Sequence, residues 1–311
     1  MGMTMSRLPS WTRSPALLTR LALASVIANV VIVVTGGAVR LTGSGLGCPT
    51  WPSCTDDSLT PTRQYAMHGL IEFTNRQLTF VLVVIVLATL ASALLVRRQR
   101  GLAVLLAASI PAQAVLGGIT VLTKLNPWTV AAHFLLSMAI IAIAFLLWWR
   151  CRNPTAGSRP PRTLAGAGWL IAALTAAVLA VGTVVTGSGP HAGDKGATHR
   201  IHLAPSSVSQ LHADLVMLLF GVTVGFALLA GAGQARHAAR WLLGIELGQG
   251  VIGFVQYFTH LPALLVGLHM FGACLVWLAA LTLLGNLQLR PFTVTVPPAP
   301  ARATRRQLAR T

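Results

Sequence analysis

The sequence predicts an all-α integral membrane protein of eight transmembrane helices, arranged as two pseudo-symmetric four-helix bundles. Three observations predict it. Hydrophobic residues make up 54% of the 311 positions and charged residues only 9%, a balance that belongs to a bilayer rather than to water. The apolar residues fall into eight runs, each near the roughly 17–25 residues that a helix needs to cross a membrane. The chain also repeats itself. Gln113–Gly117 (QAVLG) precedes His133 as Gln249–Gly253 (QGVIG) precedes His269, with an offset of 136 and no gap, and Thr183–Gly189 (TVVTGSG) echoes Thr35–Gly45 (TGGAVRLTGSG). Such echoes are the mark of a duplicated structural unit.

In chain order, residues 1–16 form a basic N-terminal segment. The apolar run after it lacks a clear small-residue cleavage site, so it reads as a retained first span at 17–37 rather than a signal peptide. The second span, 67–96, is long enough to project beyond the hydrocarbon. Spans at 102–122 and 129–149 complete an N-terminal half, 17–150. A cytoplasmic linker, 151–163, leads to spans at 164–186, 208–231, 239–258 and 262–286, a C-terminal half of 164–288. The tail, 289–311, reads as a disordered basic extension. A net charge of +17 would suggest nucleic acid in a soluble protein, but no nucleic-acid motif is present and the basic residues sit between the apolar runs. With the N-terminus inside, 17 of the 23 lysines and arginines fall in inner segments. The six on the outside are Arg40, Arg63, Arg76, Lys124, Lys195 and Arg200. This bias places both termini on the cytoplasmic side of the membrane.

The second span opens with YAMHGLIEFTNRQLTF (65–80). His68, Glu72 and Arg76 are spaced i, i+4, i+8, and Asn75 follows His68 by seven, so all four fall on one broad helical face. Ionisable groups beside a spanning run are functional candidates by default; the less favoured reading is that Glu72 and Arg76 form a satisfied ion pair at a helix end. Of nine histidines, four lie at the outer ends of even-numbered spans: His68, His133, His212 and His269. Helical histidines facing one another across a bundle are the usual way to hold haem iron through axial imidazoles. No HExxH-type zinc motif occurs, and copper or zinc would favour cysteine or carboxylate in the same shell. Asp214 lies two residues beyond His212, on a different helical phase. In the first outer loop Cys48 and Cys54 enclose PTWPS; a disulfide staple and a redox-active pair are both open readings.

Taken together, TGGAVRLTGSGLGCPTWPSC, IEFTNR, LNPWTVAAHFLLSM, VVTGSGPHAGD, QLHADL and LPALLVGLHMFGA resemble haem A synthase, and the resemblance covers all eight spans. It implies oxidation of the C8 methyl of haem O to the formyl of haem A, for assembly of cytochrome oxidase. It also implies a haem b cofactor in the C-terminal half and the substrate haem in the N-terminal half. His212 and His269 match the haem b ligands, His133 matches an N-terminal haem ligand, Glu72 the essential glutamate, and Cys48 with Cys54 the outer-loop cysteine pair. The family's better-known Glu-x-x-His-Arg reads here Glu72-Phe-Thr-Asn75-Arg76, an actinobacterial-like form with asparagine in place of one ligand. Either His68, two turns earlier, takes over that role, or Asn75 leaves the iron five-coordinate and open to oxygen or peroxide. Haem O synthase and oxidase assembly factors are the implied partners, with an electron donor or acceptor of unstated kind. A quinol-linked electron-transfer cytochrome with two b haems is the alternative, and a transporter built of repeats is a weaker third reading, since the Gly117-Gly118 pair is its single broken-helix signature.

Overall fold

The computed structural model describes residues 14–61, 66–153, 161–194, 199–231 and 233–288. They form α1 (Pro15–Leu41), α2 (Ala66–Val96), α3 (Arg100–Leu122), α4 (Pro127–Arg152), α5 (Arg162–Ser188), α6 (Pro205–Leu229), α7 (Gln234–Phe258) and α8 (Ala263–Gln288). Each expected span lies on one of these helices, with ends differing by a few residues. Residues 1–13 of the expected N-terminal segment, 154–160 of the expected linker 151–163 and the tail from 289, with the arginines counted there, lie outside the described residues. Pro15, Pro127 and Pro205 open their helices, where a missing N–H costs nothing. At α4 the Asn126 side chain also accepts from the Trp128 N–H, a cap worth about 1 kcal/mol.

Among the described residues seven helices are long and apolar enough to cross a membrane. The exception is α7, which has a span's length and a span's place in the bundle but carries Glu246, Gln249 and Gln256 along its middle. Its polar residues are the reason that it reads less clearly as a span, and they return below.

Packing groups the helices by fours. α1 packs on α2 and α4, and α3 on α2 and α4; α5 packs on α6 and α8, and α7 on α6 and α8. Each set of four therefore closes a ring, and the rings meet through α1, α4, α5 and α8. One buried cluster, including Leu18, Val86, Leu106, Ile140 and Phe145, fills the first ring, and another, including Ile171, Leu219, Phe226, Leu242 and Leu283, fills the second. Val30, Val33, Met138, Ile141, Leu179 and Cys274 form the seam between them, where Trp277 Nε1 donates to the Met138 carbonyl at 2.9 Å. These clusters lie toward the end of the bundle opposite the α1–α2 loop.

The α3–α4 and α7–α8 turns share their backbone conformation and most of their hydrogen bonds. Lys124 and Leu125 are both left-handed, and so are His260 and Leu261, each 136 residues later. The Leu125 N–H reaches the Thr120 carbonyl at 2.9 Å and the Leu261 N–H reaches Gln256 at 2.7 Å. Two consecutive non-glycine residues at positive φ are costly, so the shared conformation reflects a shared requirement: each turn delivers the next helix, with its histidine, in the same register.

Candidate functional site

Three imidazoles and one amide occupy corresponding places, each against a glycine of the preceding helix. A Cβ built on Gly117 of α3 would stand 3.0 Å from His133 Cε1, one on Gly182 of α5 would stand 3.2 Å from His212 Cε1, and one on Gly253 of α7 would stand 3.5 Å from His269 Cε1. The fourth pair joins α1 to α2: a Cβ on Gly36 would lie 3.9 Å from Asn75 Nδ2. At Gly117 and Gly182 a Cβ would press on the ring, whereas at Gly253 and Gly36 it would meet the side chain at ordinary contact. All four side-chain residues are half-buried. The Nδ1 atoms of His133 and His269 are buried without a hydrogen-bond partner. His212 Nδ1 likewise has none at bonding geometry, although the Val178 backbone lies alongside that ring.

The rings of His212 and His269 face each other with centres 6.4 Å apart and planes at 69°. Two imidazoles bound to one metal from opposite sides, with metal–nitrogen bonds of about 2.0–2.1 Å, would have centres roughly 6 Å apart. The separation therefore leaves room for a metal ion that His212 and His269 would hold between them. Among the described residues no three His, Cys, Asp or Glu side chains converge on one point. A site with two protein ligands suits an ion whose remaining ligands belong to a macrocycle.

In the first half the chemistry-bearing residues are tied to the α1–α2 loop. Arg76 Nη2 donates to Glu72 Oε1 at 2.6 Å, and the other carboxylate oxygen, Oε2, accepts the Cys48 N–H at 2.7 Å. Arg76 also donates to the carbonyls of Cys48, Thr50 and Ser53 at 2.9–3.2 Å. Cys48 and Cys54 are joined by a disulfide and are buried, which agrees with a pairing in the loop. From the same loop, Trp51 reaches across to α3, where only the missing side chain of Gly118 makes room for its indole. The two glycines of α3 thus have separate tasks: Gly117 accepts His133 and Gly118 accepts Trp51. The expected ion pair is present, and the pair that satisfies Glu72 also clamps the loop.

Asn75 sits at the level of the Gly36 cradle and its Oδ1 accepts from Thr35 Oγ1 at 2.7 Å. His68 is exposed and its Nδ1 contacts Ser44 Oγ at 2.9 Å, so it is drawn toward the loop, roughly 10 Å along the helix from Asn75 at 1.5 Å per residue. Of the other histidines, His191 Nε2 contacts the Leu261 carbonyl at 2.8 Å, while His199, His202, His260 and His237, the last on the first turn of α7, are exposed. Asp214 is exposed and accepts from Gln210. The sequence reading passed over Glu246, a buried carboxylate in the middle of α7, 5% exposed. A carboxylate inside an apolar run of spanning length is the signal for it, a weak one where no other ionisable residue stands near it in sequence.

Comparison with known proteins agrees with this architecture. The haem A synthase of Geobacillus thermodenitrificans is 30% identical over 146 residues, which is 45% of this chain and 44% of that one. The haem A synthase of Shewanella oneidensis is 27% identical over 151 residues, 43% of this chain and 46% of its own, and that of Listeria monocytogenes is 33% identical over 128 residues, 40% and 42% respectively. Each match thus spans less than half of the relative. Residues 19–281 match, across both rings of helices, the family described as cytochrome oxidase assembly protein. The chain belongs to this COX15-CtaA family.

Proposed function

We propose that this protein is a haem A synthase, oxidising the C8 methyl group of haem O to a formyl group in a bacterial cell membrane, with both termini cytoplasmic. The observation that carries the reading is the asymmetry between the two rings. The second offers two opposed imidazoles, His212 and His269. The first offers one imidazole, His133, and an asparagine in the corresponding cradle, beside a carboxylate, an arginine and a disulfide loop. A protein that only relayed electrons between two b haems would have use for two equal sites. This chain has one site saturated with ligands and one furnished for chemistry.

On this reading His212 and His269 hold haem b, which supplies one-electron redox capacity when bound. His133 holds the substrate haem on one side. Asn75 faces the other without an imidazole, leaving that side of the substrate free for an oxygen species. Glu72 accepts bonds at both carboxylate oxygens, which fixes its orientation next to the loop. A carboxylate so placed can take a proton at Oε2 when the Cys48 N–H moves away, and methyl oxidation releases protons that must be taken up. Arg76 keeps Glu72 oriented and, through three loop carbonyls, keeps the loop closed over that end of the bundle. The disulfide limits how far this lid opens.

The test is haem extraction and chromatography from membranes that express the chain together with a haem O synthase. Formyl-bearing haem A should appear, and a Glu72→Ala control should lack it while retaining the haem b spectrum. Unconverted haem O beside a filled haem b site would instead favour the electron-transfer cytochrome.

A further inference from the structure

Glu246 has no part in the function just proposed, yet it is among the least expected side chains in the bundle. It is 5% exposed in the middle of α7. Thr223 Oγ1 of α6 donates to its Oε1 at 3.1 Å, and its Oε2 is buried with no hydrogen-bond partner. Buried carboxylate oxygens are normally hydrogen-bonded, and both oxygens of Glu72 are. A carboxylate with an idle, buried oxygen has a place for a proton. α7 packs on α6 and α8. The ionisable residues of α6 are His212 and Asp214, those of α8 are His269 and Cys274, and α7 itself carries Arg236, His237, Arg240 and Tyr257. None of these forms an ion pair with Glu246 among the described residues.

Its position on the helix links it to the second ring's site. Glu246, Gln249, Gly253 and Gln256 are spaced i, i+3, i+7, i+10 and share one face of α7. Gly253 on that face lies against His269, seven residues from Glu246, or about 10 Å along the axis. Over such a distance in a low-dielectric interior, one unit of charge biases the protonation of a carboxylate. The repeat shows that the feature is specific to this ring. At the 136-residue offset Gln249, Gly253 and Gln256 correspond to Gln113, Gly117 and Thr120, but Glu246 corresponds to Ile110, a member of the apolar core.

We propose that Glu246 is the proton-binding group coupled to the redox state of a haem held by His212 and His269. As the iron passes from Fe(III) to Fe(II) by gaining one electron, the carboxylate gains one proton and becomes neutral, so the buried charge is unchanged. The reverse step releases both. This inference rests on the haem b assignment above.

The test is a spectroelectrochemical titration of the purified protein, with low-potential mediator dyes as the one-electron reductant, repeated across pH 5–9. The expected midpoint potential of the wild type falls as pH rises, and that of Glu246→Gln, which keeps shape and removes the proton site, is flat. Thr223→Val removes only the hydroxyl that favours the charged form, and its pH-dependent range should move upward. A wild type with no pH dependence, or a Glu246→Gln protein with the wild-type slope, would overturn the proposal. If Glu246→Gln does not accumulate, an unmoved range in Thr223→Val does the same. Absence of a bis-imidazole haem spectrum in the wild type would instead overturn the haem b assignment, a distinct result from a haem with a pH-independent potential.

Discussion

Single residues set how the two rings differ. Asn75 stands where the second ring has an imidazole, against Gly36 as His212 stands against Gly182. Asn75→His should therefore convert the N-terminal haem from a form with an open coordination position to a six-coordinate, low-spin one, read by absorption and electron paramagnetic resonance; an unchanged spin state would mean that the asparagine does not face the iron. The glycines give a graded test of the cradles. A methyl at Gly253 meets His269 at ordinary contact, 3.5 Å, whereas one at Gly117 meets His133 at 3.0 Å. Overpacking costs about 1–3 kcal/mol where neighbours cannot yield. Gly253→Ala should thus keep its haem b, while Gly117→Ala should lower occupancy at the N-terminal site by about tenfold or more, measured by pyridine haemochrome and haem titration. Equal losses in both would break the link between cradle and ligand. At this scale the sequence spoke unevenly. His133, His212 and His269 could be read because a repeat ties two of them and a helix-end position ties all three. Glu246 stood alone in an apolar run, and the Asn75 contact with Thr35 joins positions 40 residues apart, which no local pattern records.

Among the elements, the α1–α2 loop has the most to show beyond its sequence. Two cysteines six residues apart suggest a staple, but nothing in that spacing says that the loop's carbonyls are held by an arginine of α2 or that its Trp51 fills the space left by Gly118 on α3. Side chain to backbone bonds across 23–28 residues leave no periodic trace, whereas helices announce themselves by hydropathy alone. For a closed loop this short, chain entropy assigns the disulfide about 2 kcal/mol. The charged hydrogen bonds from Arg76 are worth about 1.5–3 kcal/mol each at most, less for a side chain 21% exposed. The clamp therefore rivals the covalent link. We expect Arg76→Met to free the loop as effectively as Cys48→Ser with Cys54→Ser. In the arginine variant the intact disulfide should be reduced by dithiothreitol several times faster than in wild type, followed by maleimide labelling in detergent. Gly118→Leu should act likewise by ejecting Trp51. A disulfide that reduces at the wild-type rate in both would show that the loop is held by something other than these two contacts.

For the whole molecule, the distribution of basic residues should determine which way the bundle sits. Lysine and arginine resist transfer across the membrane, so segments rich in them stay inside. The structure accounts for two of the six exceptions. Arg40 Nε donates to the His191 carbonyl at 2.8 Å and its Nη2 to Thr186 at 3.2 Å, and Arg76 is fully engaged with Glu72 and the loop. Arginines with such partners enter the fold as hydrogen-bond donors between elements, and their charge carries little weight as a topological signal. Arg40 has a further role, since with the Gly45 N–H to Gly193 carbonyl bond at 2.8 Å it ties the loop region after α1 to that after α5, holding the two rings together at the end that carries the histidines. With these exceptions explained, the bias toward the opposite end is stronger than the raw count suggests. Green fluorescent protein fused after Thr311 should then fluoresce, and alkaline phosphatase inserted after Asp57 should be active, since it folds only outside the cytoplasm. The reverse pair of results would place Glu72, its disulfide loop and all three site histidines at the cytoplasmic face, where thiols are kept reduced, and would leave the disulfide without an oxidising compartment to form in.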